Sequence, residues 1–585
     1  MTMQSRHTKQ LAAFLAVGAC ALPLAAMAQS IGYGNVSGGS GSGGSARGDD
    51  VSAGDSSAAS ERGERAGRGG RNSGSRGVRV TPYIEAAQIV TAELSPGDDT
   101  LTYSMVAAGV DASIQGRNNG ASVSLRYEHR FGWGRARDNS TISGIANGYT
   151  TVAPGLTLHA GALAARTRID NEGGAVLSPL DLGNDTVSQT YSVYAGPSLT
   201  THAGPVAVNA NYRIGYSKVE SPDAYVVAPG QPAVDVFDDS VSQSANIHAG
   251  VKPGQVLPVG LGAGASYYRE DISNLDQRIE NFAARADVTV PITNTLHVVG
   301  GIGYEDVEVS SRDAVRDSSG VPVIGPDGRY ITDKSGPRQI GYDVSGLIWD
   351  AGVIWRPSRR TALEAHVGRR YGSTTYYGTF AYAPNPRQAL NVSVYDNISG
   401  FGGQVSRALE GLPTDFEVVR NPLTGGFGSC VASVEGGNCL GGALGSVRSS
   451  AFRARGVMAS YNLNFGRTSA GVGGGYDRRR FIGAPGTVLA QQSGVVDENL
   501  WVAGFLSRQI DADSTVRADV RANWFQSGSG TAGDGTVIGA TASYYRNLTQ
   551  RLSATAAVGV DGIDRDAPLP DQWIASALLG LRYSF

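Results

Sequence analysis

The chain is 585 residues long, with 81 glycines, 17% charged side chains and a formal net charge of −3. Beyond the first 28 residues no apolar stretch approaches the roughly 20 that a membrane helix needs, which excludes a helical membrane protein. Lysine occurs only at positions 9, 218, 252 and 334, so nearly all positive charge is arginine, whose fork suits carboxylate, phosphate or acidic sugars; a coding bias explains it equally well, and no feature calls for nucleic acid.

Residues 1–28 read as a secretory signal peptide. Arg6, His7 and Lys9 precede an apolar run from Leu11 to Ala26, and Ala26-Met27-Ala28 forms a small-x-small cleavage site. Lipidation at Cys20 is the rival reading. Cleavage removes two basic groups and lowers the net charge from −3 to about −5. Residues 29–77 are rich in Gly and Ser, with Arg62, Arg65, Arg68, Arg71 and Arg76 at their end. Such a segment buries no core and is expected to be a disordered periplasmic arm. Its arginines either grip an anionic periplasmic partner, such as peptidoglycan, a polysaccharide or a protein, or belong to a solvated linker. It is too short for a plug domain.

From residue 78 to 585 the chain alternates, and period-two alternation means strands with unlike surroundings on their two faces. The runs fall at 78–94, 100–115, 121–132, 139–152, 155–170, 186–201, 205–219, 240–252, 257–270, 276–291 and 294–310. They continue at 342–356, 360–372, 374–384, 387–398, 450–465, 467–481, 496–510, 514–526, 535–547, 551–563 and 572–585. Every even-numbered connection is short and every long one is odd: 171–185, 220–239, 311–341, 399–449 and 482–495. Short periplasmic turns with long outer loops are the asymmetry of outer-membrane barrels. The fold class is therefore all-β: a transmembrane antiparallel β-barrel of about 22 strands, 20 or 24 being the alternatives. The last run ends with Leu579, Leu581, Tyr583 and Phe585 on one face, which looks like the terminal signal read by the barrel-assembly machinery.

Several runs set an apolar face against a charged one. Val123, Leu125, Tyr127 and Phe131 oppose Arg126, Glu128 and Arg130; Val206, Val208, Tyr212 and Ile214 oppose Arg213; Phe282, Val288 and Val290 oppose Arg285 and Asp287. Trp349 and Trp355 flank Asp350; Glu364, His366 and Arg370 share a face; Val516, Val520 and Trp524 oppose Arg517, Asp519 and Arg521. Charges are costly against lipid and cheap in a wet lumen, so these side chains are assigned inward and the interior is expected to be polar and water-filled. Pairing with carboxylates across the wall is the preferred reading of this charge; in an open channel Arg126, Arg130, Arg213, Arg285, Arg517 and Arg521 would be the solute-facing residues. Cys430 and Cys439, together in one Gly-rich loop, are expected to form a disulfide. The loop from Glu220 to Asp239 holds five carboxylates and no base; it is either a solvated loop or a divalent-cation site beside lipopolysaccharide phosphates.

The six histidines after the leader (His129, His159, His202, His248, His297 and His366) have neither metal-ligand spacing nor a nucleophile motif nearby. No catalytic residue, metal or cofactor is assigned. The stretch Trp349-Asp350-Ala351-Gly352-Val353-Ile354-Trp355-Arg356-Pro357-Ser358-Arg359-Arg360-Thr361, with Gly368-Arg369-Arg370-Tyr371-Gly372 after it, resembles a family of β-barrel porins, especially the outer-membrane barrels associated with exosortase and exopolysaccharide (PEP-CTERM) systems. Val80 to Leu94 and Leu101 to Arg117 are similar to that family's first hairpin. The Arg-rich arm and the cysteine loop depart from it. The resemblance implies a setting near polysaccharide export or surface assembly, with no activity to carry over.

The leading expectation is an outer-membrane channel in contact with lipid and lipopolysaccharide, serving polysaccharide export, with loop 399–449 setting the size limit. A structural or adhesive barrel with a loop-closed lumen is the second. A rim enzyme, marked by a tight outward cluster of His with Ser or Asp, is the third.

Overall fold

The computed structural model describes residues 77–585 apart from 170–174, 178–186, 221–235, 417, 419, 428–429, 432–437, 441, 529–533 and 566–570. The leader, the arginine arm and the centre of the acidic loop lie outside the described residues. Twenty-two strands follow in order: β1 Gly77–Ser95, β2 Thr100–Gln115, β3 Asn119–Trp133, β4 Asn139–Ala153, β5 Leu156–Ile169, β6 Val187–Ala203, β7 Val206–Glu220 and β8 Asp239–Val251. Next come β9 Gly260–Ile272, β10 Gln277–Pro291, β11 Leu296–Ser311, β12 Gln339–Ser358, β13 Thr361–Arg370, β14 Ser373–Asn385 and β15 Gln388–Ser399. The helix α1, Phe401–Glu410, precedes β16 Phe452–Phe465, β17 Thr468–Phe481, β18 Val496–Gln509, β19 Ser514–Gln526, β20 Gly535–Asn547, β21 Leu552–Arg565 and β22 Gln572–Ser584.

Each strand pairs antiparallel with the next, and β22 returns to β1 in register from Tyr83↔Ser584 to Ser95↔Trp573. A three-residue strand, Ala175–Leu177, adds to β5 outside the ring. The sheet is thus closed, which satisfies the backbone within a membrane where no water can. At one end the connections are short, eight residues at most (252–259); the long ones, 312–338 and 400–451 among them, all lie at the other. Gly466 takes φ +61 to close a two-residue turn, a backbone in which a β-carbon is strained.

Burial is inverted relative to a water-soluble sheet. On β3, Leu125, Tyr127 and Phe131 are 46%, 48% and 45% exposed, whereas Arg126, Glu128 and Arg130 are buried. Trp349, Val353 and Trp355 on β12 also face outward. An apolar exterior around a charged interior is the arrangement a barrel adopts in lipid. No helix among the described residues is long and apolar enough to cross a membrane.

The largest apolar core lies inside the ring. Wall residues Ile145, Leu163, Tyr194, Val219, Tyr268, Ile272, Ile279, Val307 and Val309 pack with Phe401, Val405, Leu409, Leu412, Phe427, Leu440, Leu444 and Val447 of the connection between β15 and β16. A water-filled interior is therefore corrected where this connection sits. Inward side chains of the outer half are partly aliphatic, and the loop is apolar enough to cover them.

Candidate functional site in the plugged lumen

The plug begins with α1. Phe401, Val405 and Leu409, four residues apart, form one stripe that is fully buried. Gly402, Gly403 and Ser406 make the approach close: a β-carbon at Gly402 would collide with Ser240, and one at Gly403 with Tyr268 and Glu270. The helix has no side-chain cap of its own. Its first turn is held by the buried Glu270 carboxylate of β9, which accepts from Gly400 N–H at 2.7 Å and Gly403 N–H at 2.8 Å. Ser240 Oγ and Tyr268 Oη donate to the same group at 3.0 and 2.6 Å. An anion at a helix N-terminus satisfies orphan donors and the helix dipole together.

After α1 the chain descends along β3 and β4. Asn147 Nδ2 donates to Leu412 O at 2.5 Å and Ser122 Oγ to Thr414 O at 3.0 Å. Ser122 is three residues above the start of β3, so the plug reaches close to the periplasmic end. Arg420 donates to Ser124 Oγ, Ser143 Oγ and Gly425 O, and Arg130 donates to Leu423 O at 2.7 Å. Asn421 Nδ2 reaches across to Thr541 Oγ1 on β20 at 2.8 Å. The returning segment is held by Arg479, which donates to Gly442 O and Ser446 O, by Arg448 against Asp497 at 3.1 Å, and by Gln277 on Ser449 O at 2.9 Å. Segment 400–451 thus touches strands around most of the ring. Glu410, at the end of α1 with Arg213 and Arg407 nearby, is pushed up to about 7 by burial.

The structure places the sequence-assigned charges on the inner face, but in ion pairs. Arg126 bonds Glu85 at 2.7 Å and Glu128 at 3.0 Å, and Arg130 bonds Glu128 at 2.7 Å. Arg285 bridges Asp287 (3.2 Å) and Asp350 (2.6 Å); His248 meets Asp287, and His366 meets Asp350 and, at 3.4 Å, Glu364. Arg370 pairs with Glu305 and Arg521 with Asp561. Arg213 donates to Pro197 O and Ser198 Oγ, and Arg517 lies over the Tyr545 ring at 5.1 Å, with Asp519 between Arg517 and Arg521 in sequence on the same face. For Arg126, Arg130, Arg285 and Arg521 the structure has the cross-wall pairing and not an arginine directed at solute: their charge is spent on neighbouring carboxylates.

Sequence reasoning missed Glu85, Glu305 and Asp561, although each lies on the inward parity of its strand. It also missed Glu270 and Glu410, whose roles exist only once the plug is seated. Cys430 and Cys439 are opposite each other in the backbone register of a two-residue ribbon. Of the rim histidines, His129 Nδ1 lies 2.6 Å from Ser140 Oγ on the outward face, and among the described residues no carboxylate completes the pair. Nor does any group of three His, Cys, Asp or Glu among them suit a metal ion. Leu579, Leu581 and Phe585 stand outward, 70%, 50% and 63% exposed, and Phe585 N–H closes onto Pro82 O at 3.0 Å.

No family profile matches the chain, and no curated protein does. Among solved structures it is similar to the FrpB iron transporter of Neisseria meningitidis, at 12% identity and a TM-score of 0.41, covering 86% of this chain and 82% of that one. The ferric-catecholate import receptor Fiu of E. coli K12 in its open form gives 12% identity and 0.39, covering 86% and 81%. The siderophore receptor PirA of Acinetobacter baumannii gives 10% and 0.38, covering 86% and 80%. The closed ring of outward-apolar strands makes this chain a transmembrane β-barrel whose lumen is occupied by its own connection between β15 and β16.

Proposed function

We propose that the protein is an outer-membrane channel held shut at rest by segment 400–451, with a surface polysaccharide as the cargo implied by the family resemblance. One observation carries the reading. The plug is a covalent part of the wall, seated partly through hydroxyl and carbonyl contacts that water replaces one for one, over an inner wall that continues polar and charged beneath it. The apolar contacts set how firmly it sits. Phe401, Val405, Leu409, Leu412, Leu423 and Val447 are all fully buried. At about 1.5–3 kcal/mol each, exposing them together costs on the order of 10 kcal/mol, so thermal opening of the whole segment is negligible and opening needs a partner or a ligand.

A structural or adhesive barrel is the second reading, and the same apolar packing favours it. Single-channel recording in a planar bilayer separates the two. The intact barrel is expected to be silent. Replacing 402–450 with a short Gly-Ser linker is expected to give large, steady conductance steps. A folded deletion variant that stays silent would sink the channel reading.

A further inference from the structure

A second group of arginines lies in the upper wall: Arg478 and Arg480 are exposed on its outward side, beside the largely covered Arg453. Along β17 the outward residues rise from the periplasmic turn as Ala470, Val472, Gly474, Tyr476, Arg478 and Arg480, alternating with the inward Asp477 and Arg479. Val472 is 50% exposed and Arg478 43%. The neighbouring β16 brings Arg455 directly opposite Arg478 and Arg453 directly opposite Arg480. Like charges facing each other across a strand pair repel, so two such pairs in succession are unfavourable unless anions lie between them.

The protein supplies part of that anion. Asp396 of β15 takes Arg453 at 2.6 Å and Arg455 at 3.1 Å. Both guanidinium groups also tie down the start of β14, Arg453 on Ser373 Oγ and Arg455 on Thr374 O, each at 2.7 Å. Glu498 of β18 faces Arg478 at 3.3 Å. Arg480 is exposed and has no carboxylate partner among the described residues. Four guanidinium groups thus meet two carboxylates: Arg453 and Arg455 share Asp396, Arg478 has Glu498, and the surplus falls on Arg480 and on the Arg453–Arg455 pair beside it.

The height of this surplus selects the ligand. Arg478 is ten residues above Thr468, the first residue of β17. At about 3.3 Å per residue and a tilt of about 40°, that is roughly 25 Å above the periplasmic edge, the thickness of the apolar band of an outer-membrane barrel. Tyr476 then lies at the girdle and the arginines at headgroup level of the outer leaflet. Beneath them Gly474 pairs with Ala459, which leaves a shallow place in the wall for an acyl chain.

We propose that Arg478 and Arg480, backed by Arg453 and Arg455, bind the phosphate of an outer-leaflet phosphoglycolipid by charge-assisted, forked hydrogen bonds. The site is independent of whether the lumen opens. The test is native mass spectrometry of the full-length detergent-solubilised barrel titrated with bis-phosphorylated lipid A. The wild type is expected to retain one lipid, and the double variant Arg478→Gln/Arg480→Gln to bind it about tenfold more weakly, as expected for loss of paired charge-assisted bonds. Enzymatically dephosphorylated lipid A should lose a similar factor on the wild type. Arg508→Gln, outward at the periplasmic end of β18, should change nothing. Equal retention by the double variant, or of the dephosphorylated lipid, would overturn the site, as would an equal loss in Arg508→Gln. Should the double variant not fold, the single variant Arg480→Gln, which breaks no ion pair, is read in the same way.

Discussion

Glu270 and Glu410 stand at the two ends of α1, and their charges act there in opposite senses. Glu270 is buried as a carboxylate with two backbone N–H groups and two hydroxyls donating to it. In Glu270→Gln the charge is lost and one amide N–H faces donors, so seating of the plug should weaken by about 2–4 kcal/mol. Limited proteolysis of the barrel in vesicles should then cut within 400–451 many times faster, with heat-modifiable migration of the barrel unchanged. Glu410 is raised from 4.5 to about 7 by burial, which the Arg213 and Arg407 charges only partly offset. Below pH 4.5 it is protonated whether the plug is seated or free, and it contributes nothing. Between pH 4.5 and about 7 the free form ionises while the seated form resists, so seating loses on the order of 1–3 kcal/mol as pH rises and is level above that. Proteolysis of the segment should accordingly be slower at pH 5 than at pH 8, and Glu410→Gln should flatten the difference. A slope of the opposite sign would show that other groups control the plug.

The strands were the most legible elements, because a barrel strand carries its own evidence: two faces with unlike solvents and a turn at each end. The ninth strand departs from its alternation. It begins at Gly260, three residues later than the alternation indicates, since Leu257, Pro258 and Val259 continue the apolar pattern through a turn. The plug was not legible as an element. Its Gly-rich composition reads as a surface loop, and α1 is only ten residues long. What makes it a helix is burial of one stripe against the wall and a cap donated by β9, neither local in sequence. Within the same connection Cys430 and Cys439 share a backbone register, and the disulfide expected of them is a prediction. Thiol alkylation of the unreduced protein should label neither cysteine, and reduction should expose both while leaving the barrel closed. Labelling before reduction would remove the disulfide.

For the molecule as a whole, closure depends on the last strand meeting the first. Phe585 contributes one backbone hydrogen bond and an outward ring to that seam. Deleting it should lower the amount of membrane-assembled protein several-fold. The fraction that assembles should unfold within about 1 kcal/mol of wild type in urea, as expected for loss of an exposed side chain. Equal assembly would dismiss the terminal strand as a recognition signal. Class, antiparallel topology and a count of about 22 strands followed from the sequence, because alternation and turn spacing are local properties that lipid imposes on every strand separately. The tertiary structure alone decided that the charges are paired and the lumen filled. Those outcomes depend on which inward side chains become neighbours across strands, and on where a fifty-residue connection finds enough apolar surface to bury its own.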